Sequence, residues 1–310
     1  MKTKPYPNTE KKASRLGFGA WPLGNKAHRK TMTEEEGITL IKAALDKGIT
    51  FFDTAPNYAL GKSETILGKA LKGHRDDVII NTKFGHHASG EINFDPASMR
   101  PSLMQSLERL KTSYVDSLIL HNPDHAILSG ETEHFNILKE FKSEGLIHAY
   151  GVSVDTKEEL DLVLKRNDIE VIELLFNIYA QATRPYLDDI KKRGIALIIK
   201  VPLDSGWLSG KYTKDSVFTD IRSRWTEADL KRRHELTNKL KEIVKDDKLI
   251  PYALGFIWSF DAVTTVIPGM RNIDQLEDHV KSESFVLDAE LKDTLIDFYE
   301  ENIKDNPLPW

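Results

Sequence analysis

Leu16-Gly-Phe-Gly-Ala-Trp21 is the stretch on which the fold turns. It is the first short apolar run of the chain, and Gly17 and Gly19 stand at the spacing with which a dinucleotide fingerprint begins. The third glycine that GxGxxG requires is missing, so the usual mark of an open, doubly wound sheet is absent after the first strand. Working outward from 16–19, further runs rich in Val, Ile, Leu and Phe recur at 49–53, 78–83, 114–121, 149–152, 171–175, 196–200 and 265–267. Amphipathic stretches of helical period follow them, the pattern of parallel strands joined by crossover helices. Several of the runs are apolar throughout, as strands covered on both faces are. About eight such units with no Pro/Gly/Ser-rich linker between them predict an α/β protein, a closed (β/α)8 TIM barrel forming one domain over 1–310.

The intervening helices carry their own punctuation. Thr33 before Glu34, Glu35 and Glu36 reads as an N-cap with acids in the first turn, Ile38, Ile41 and Leu45 form one face, and Gly48 ends the helix. Asp95-Pro96 opens another, with Met99, Leu103, Leu107 and Leu110 on one stripe, and Thr156 to Glu159 spells a capping box for a third. The longest region without a clear period is 204–226. Long loops in compact domains tend to be functional, so this one is expected to close over the site.

Composition removes several classes of function. The 310 residues are 40% hydrophobic and 29% charged, ordinary values for a globular chain with a sizeable core. A net charge of -5, spread along the chain, offers no basic stripe for nucleic acid. The absence of cysteine excludes disulfides, thiolate metal sites and a cysteine nucleophile. Residues 1–10 lack the apolar segment of a secretory signal, and no apolar run approaches the ~20 residues of a membrane helix. A cytoplasmic enzyme acting on a small molecule is the expectation. His86-His87 with Glu91 lacks the spacing of a helical zinc pair and is assigned to a substrate-side loop, so no metal is expected. Arg222-Ser-Arg224-Trp225 reads either as a contact for an anionic substrate or as a solvated turn, with the turn favoured. Residues 306–310 either cap the pocket or are disordered.

Three ionisable residues end three successive apolar runs: Asp53, Lys83 and His121. In a barrel these ends share one mouth, where active sites of this architecture lie. Tyr58 follows Asp53 in a Pro-Asn-Tyr turn that can bring its phenol over the same mouth. Each residue alone has a bland explanation in solvation, capping or core hydrogen bonding; their coincidence is the signal. A phenol with a reference pKa of about 10 is a poor proton source at neutral pH, and a neighbouring ammonium lowers it. Lys83 is placed to do this, Asp53 to keep that ammonium charged, and His121 to orient or polarise a carbonyl oxygen.

At these residues the chain resembles the aldo-keto reductase superfamily. The resemblance is carried by Phe52-Asp-Thr-Ala-Pro-Asn-Tyr58, Gly61 to Gly68, Asn81-Thr-Lys83, Ser106 to Leu110, Tyr114-Val-Asp116, His121-Asn-Pro-Asp124, Gly151-Val-Ser153, Gly206 to Tyr212 and Ile267-Pro-Gly269. It implies an oxidoreductase that moves a hydride between a nicotinamide and a carbonyl carbon. In that pattern Tyr58 is the general acid, Lys83 its pKa-lowering partner, Asp53 the lysine's counter-ion and His121 the carbonyl-orienting group. Trp21 would line the substrate pocket.

The resemblance further implies which residues meet the cofactor. The family commonly holds the nicotinamide with Ser, Asn, Gln and an aromatic ring; here Ser153, Val154, Glu173 and Lys200 occupy those places. Glu173 and Lys200 are expected to pair with each other beside the ring. Leu203, Ser205, Gly206 and Lys211 match the loop on the pyrophosphate, and Arg271, Gln275, Asp278 and His279 the region gripping the adenosine end. Arg271 aligns with a residue that meets a 2′-phosphate, favouring NADP(H) over NAD(H). The leading expectation is an NADPH-dependent reductase of aldehydes or ketones. An NAD(P)-dependent sugar or polyol dehydrogenase, and a cofactor-sensing binding protein with little turnover, are the alternatives. Natural substrate, direction and oligomeric state are not legible in the residues.

Overall fold

The computed structural model describes residues 1–27 and 30–309. Eight parallel strands form one sheet in chain order: β1 (Phe18–Gly19), β2 (Phe51–Asp53), β3 (Ile79–Phe84), β4 (Val115–His121), β5 (Ile147–Val154), β6 (Val171–Leu175), β7 (Ala196–Lys200) and β8 (Val263–Val266). Bridges from Leu16 to Val266 and from Gly19 to Gly269 join the first strand to the last and bring the sheet round into a barrel. Gly17 N–H donates to the Val266 carbonyl at 2.8 Å and Gly19 N–H to the Pro268 carbonyl at 3.1 Å. This seam accounts for the glycines of the opening stretch. A β-carbon on Gly19 would stand 2.6 Å from the Ile267 carbonyl oxygen, so the residue is small because two backbones meet there.

Outside the strands lie α1 (Glu34–Asp46), α2 (Lys62–Ala70), α3 (Met99–Leu110), α4 (His134–Ser143), α5 (Lys157–Leu164), α6 (Leu187–Lys192), α7 (Glu227–Val244), α8 (Ile250–Trp258), α9 (Ile273–Lys281) and α10 (Ala289–Asn302). Thr156 forms the expected capping box with Glu159, and Thr33, expected as an N-cap, also closes a capping box with Glu36. Asp95-Pro96 opens a single 3-10 turn, Pro96–Ser98, that runs into α3. An antiparallel hairpin, Thr3–Pro5 with Lys12–Ser14, precedes the barrel, and Tyr6 joins its inner apolar layer beside Phe51, Ile79, Ile119 and Val171. The Tyr6 hydroxyl is hydrogen-bonded to Ser117 Oγ at 2.7 Å, which satisfies a polar atom buried among these side chains.

The segment 204–226 has order without period. Its 3-10 turns Asp204–Ser209 and Ile221–Arg224 are joined by an aromatic cluster in which Phe218 contacts Tyr212 at 4.9 Å, Trp225 at 5.9 Å and Trp207 at 6.4 Å between ring centres. Such packing leaves no 2.0 or 3.6 repeat to read. Among the described residues no helix is long and apolar enough to cross a membrane.

Candidate active site

Strand alternation decides which side chains face the barrel interior. Asp53 and His121 close β2 and β4, Lys83 is the penultimate residue of β3, and all three open on the C-terminal mouth. Asn81, two residues before Lys83, faces inward with it, and sequence reasoning missed it although that alternation was available. Asp53, Lys83, Asn81, Ser153 and Glu173 are all buried.

Lys83 Nζ lies 2.7 and 2.6 Å from the two oxygens of Asp53, donates to the Thr54 carbonyl at 3.0 Å, and stands 3.2 Å from Glu173 Oε2. Asn81 Nδ2 donates to Asp53 Oδ2 at 2.7 Å and reaches Glu173 Oε2 at 3.4 Å, while its own oxygen accepts from Ser117 Oγ at 2.6 Å. Two carboxylates therefore share one ammonium and one amide. The expected Glu173–Lys200 pair does not form. Glu173 turns inward to Lys83 and accepts from Ser153 Oγ at 3.2 Å, whereas Lys200 pairs with Asp155 at 2.8 Å and donates to Ser153 Oγ and Asn122 Oδ1 at 2.7 and 3.0 Å. The reason is position: Glu173 is central in β6, deep enough to meet the β3 lysine, and Lys200 is the last residue of β7, at the rim where Asp155 follows β5.

These contacts set the protonation states. Burial, and then the Glu173 charge, push the Asp53 carboxyl up to about 8 against the pull of Lys83. Burial also works against the Glu173 charge, but Lys83 and Lys200 outweigh it and hold that carboxyl below its ordinary value. The two carboxyls titrate as a pair that retains a proton longer than an isolated acid would. Burial lowers Lys83, and the two acids overcome it, so the ammonium stays charged. The Tyr58 ring lies 5.2 Å from Lys83 Nζ. Here the expectation of a phenol brought towards neutrality is overturned: burial raises its pKa, Lys83 lowers it, and Asp53 and Glu173 take back part of that gain. Tyr58 is therefore a neutral phenol.

His121 meets Tyr58 edge-on at 6.1 Å and stacks on His86 at 4.3 Å. Burial and then the Lys83 charge hold His121 well below the usual imidazole range, so it is neutral at physiological pH. Its Nδ1 is buried without a hydrogen-bond partner among the described residues. Trp21, 36% exposed, stands just after β1 at the same mouth. His86 is therefore a mouth residue, and no cluster of acids and histidines suited to a metal occurs among the described residues.

A profile of the aldo/keto reductase family matches residues 15–299. The chain belongs to the aldo/keto reductase family. It is 30% identical to an aldo-keto reductase, YhdN, of Bacillus subtilis over 98% of this chain and 96% of that one. It is 29% identical to an L-galactose dehydrogenase of Arabidopsis thaliana over 91% of this chain and 89% of that protein. Among solved structures, the holo form of an aldo-keto reductase, AKR11C1, of Bacillus halodurans superposes with a TM-score of 0.81 at 27% identity, covering 96% of each chain. The protein is thus an oxidoreductase of carbonyl compounds in a family that works with NAD(P)(H).

In this aldo-keto reductase, of the residues expected to meet the cofactor, Ser153 and Val154 lie in β5, Glu173 in β6 and Lys200 in β7, while Leu203 to Lys211 follow β7 and Arg271 to His279 follow β8. After β7 the backbone runs left-handed at Val201, Asp204, Ser205 and Gly206, with φ of 53°, 43°, 53° and 101°. Within this turn Asp204 N–H donates to the Val201 carbonyl at 3.2 Å and Gly206 N–H to the Leu203 carbonyl at 2.8 Å, and Lys211 follows it. The loop is held from behind by a buried pair, Asp204 Oδ2 to Arg233 Nε at 3.1 Å, and Arg233 also donates to the Pro309 carbonyl at 2.6 Å. Of residues 306–310, expected either to cap the pocket or to be disordered, 306–309 lie against α7, where Arg232 also donates to the Asn306 carbonyl; Trp310 is outside the described residues.

Arg222 corrects another expectation. It sits in a turn as read, but its side chain is only 12% exposed, pairing with Asp220 and donating to Tyr212 and to the Ser205 carbonyl. It braces the loop rather than facing solvent. Arg271 follows β8, donates to the Asn25 carbonyl at 3.0 Å, and has its backbone N–H capped by Gln275 Oε1 at 2.9 Å. Burial and then the Arg222 charge depress its pKa, and the Asp220 carboxylate offsets part of that. Asp278 is exposed, and His279 is buried beside Lys211, its imidazole pushed down to about 4 chiefly by burial.

Proposed function

We propose that this protein reduces small aldehydes or ketones to alcohols with NADPH, and runs the reverse, with Tyr58 as the proton-transfer group. The observation that carries the reading is the convergence of Tyr58, Lys83, Asp53 and His121 at one barrel mouth. The nicotinamide supplies the hydride from its C4 carbon when bound. Tyr58 gives its phenolic proton to the oxygen that becomes the alcohol, and the Lys83 ammonium supports the phenolate left behind. Asp53 keeps Lys83 charged and fixed. His121, neutral, directs a ring nitrogen at the carbonyl oxygen, and Trp21 lines the pocket for the rest of the substrate.

Ser153, Glu173 and Lys200 would meet the nicotinamide end, Leu203, Ser205, Gly206 and Lys211 the diphosphate, and Arg271, Gln275, Asp278 and His279 the adenosine end. Arg271 beside Arg222 supports NADP(H) over NAD(H), because a planar guanidinium matches a 2′-phosphate. A second reading, a sugar or polyol dehydrogenase, is favoured by the acidic charge of Glu173 in the floor and by the likeness to an L-galactose dehydrogenase.

Fluorescence titration with NADPH and NADH, followed by turnover on a panel of aldehydes and ketones, tests the proposal, with Tyr58→Phe as control. Loss of turnover in Tyr58→Phe with cofactor binding retained is the expected result. Tight binding by the unaltered protein without turnover on any carbonyl or alcohol would replace the enzyme reading with a cofactor sensor.

A further inference from the structure

The floor of the site carries one acid more than its reaction requires. Asp53 alone satisfies Lys83, with both carboxylate oxygens within 2.7 Å of Nζ. Glu173 Oε2 adds a second carboxylate 3.2 Å from the same ammonium, and Glu173 is 2% exposed. The groups facing this floor can be counted by charge. Lys200 is matched by Asp155 at 2.8 Å, His121 and His86 are held neutral, and Tyr58 is a neutral phenol. What remains is one ammonium against two carboxylates, a net negative charge in a desolvated place. A buried unmatched charge is costly unless it takes up a proton or meets a cation.

A nicotinamide that exchanges a hydride with a carbon whose oxygen lies at Tyr58 must sit over this floor. Its two redox forms differ in charge: the oxidised ring is a cation and the reduced ring is neutral. We infer that Glu173 makes the floor select the oxidised cofactor over the reduced one, and that binding of the oxidised form expels the proton shared by Asp53 and Glu173. The inference rests on the nicotinamide reading proposed above and deepens it. The solution equilibrium of the reaction is untouched. What changes is the equilibrium among bound species, which shifts towards alcohol oxidation, and NADP+ becomes a strong product inhibitor of carbonyl reduction.

Isothermal titration of the full-length protein with NADP+ and with NADPH, at pH 7 in two buffers of different ionisation enthalpy, tests this directly. NADP+ binding is expected to release a proton, seen as a buffer-dependent heat, and NADPH binding to release none. In Glu173→Gln the ratio of NADPH to NADP+ dissociation constants should fall by at least about tenfold, as removal of one unit charge at close range implies. A ratio unchanged within twofold, or equal proton release for both forms in the unaltered protein, overturns the inference while leaving the cofactor assignment standing. Failure of the unaltered protein to bind either nucleotide overturns the cofactor reading and this inference with it. If Glu173→Gln does not fold, the buffer comparison on the unaltered protein decides.

Discussion

The Lys83 ammonium meets Asp53 through both carboxylate oxygens, at 2.7 and 2.6 Å, with neither residue more than 2% exposed. Removing one partner of such a buried pair strands the other charge. Lys83→Met should destabilise the protein by about 3–5 kcal/mol, whereas Glu173→Gln, which removes a like charge from beside Asp53, should cost far less or stabilise. Urea unfolding of the two variants checks the contrast, and equal losses would show that the Glu173 charge is as necessary to the fold as the Lys83 charge.

Tyr58→Phe deletes the proton and little volume. Activity should fall roughly a hundredfold to ten-thousandfold in kcat with cofactor affinity unchanged within about twofold. Steady-state kinetics beside a fluorescence titration separate this from a packing defect, which would lower both.

Acid should loosen the fold through its buried imidazoles. His279 has a folded pKa of about 4 against an ordinary value of 6.5, so the unfolded chain binds a proton that the native state refuses. Its contribution is fully present above pH 6.5 and is lost as pH falls from there through 4, by up to about 3 kcal/mol. His121, also held down by burial, acts in the same direction. Thermal unfolding midpoints should drop across this window, and His279→Leu should flatten part of the drop; an unaltered pH profile in that variant would contradict the assignment.

Arg271→Ala should raise the dissociation constant for NADPH by roughly tenfold to a hundredfold, the worth of a charge-assisted hydrogen bond to phosphate, and leave NADH nearly unaffected. Parallel titrations with the two nucleotides give the answer. Equal weakening for both would move Arg271 from phosphate recognition to loop support.

Arg233 links Asp204 of the loop after β7 to the Pro309 carbonyl. Arg233→Met leaves Asp204 buried without its cation and frees the tail, so cofactor affinity should fall by about tenfold or more although Arg233 is not among the residues matched to the cofactor. Unchanged affinity would show that the loop keeps its left-handed turn without this brace.

The order of strands and the four mouth residues were legible in the chain because each rests on local information: apolar runs of strand length, an ionisable residue at a run's end, an N-cap at Thr33 and a capping box at Thr156. β6 and β7 fall on the runs at 171–175 and 196–200. The glycines of Leu16-Gly-Phe-Gly19 could be denied a phosphate-binding role from their spacing, but their service at the barrel seam depends on Ile267 and Pro268, some 250 positions away.

What only the tertiary structure decided is which charges meet. A sequence records that Asp53, Lys83, Glu173 and Lys200 lie at or near strand ends, yet not their depth, and depth selects partners. A place two residues deeper in β6 gives Glu173 to Lys83, and a place at the rim of β7 gives Lys200 to Asp155. Proton affinities follow from those meetings and from burial, neither of which has a local signature. The fold was therefore written in periodicity, which each segment carries by itself, while the electrostatics of the site arose from contacts across the barrel that no segment contains.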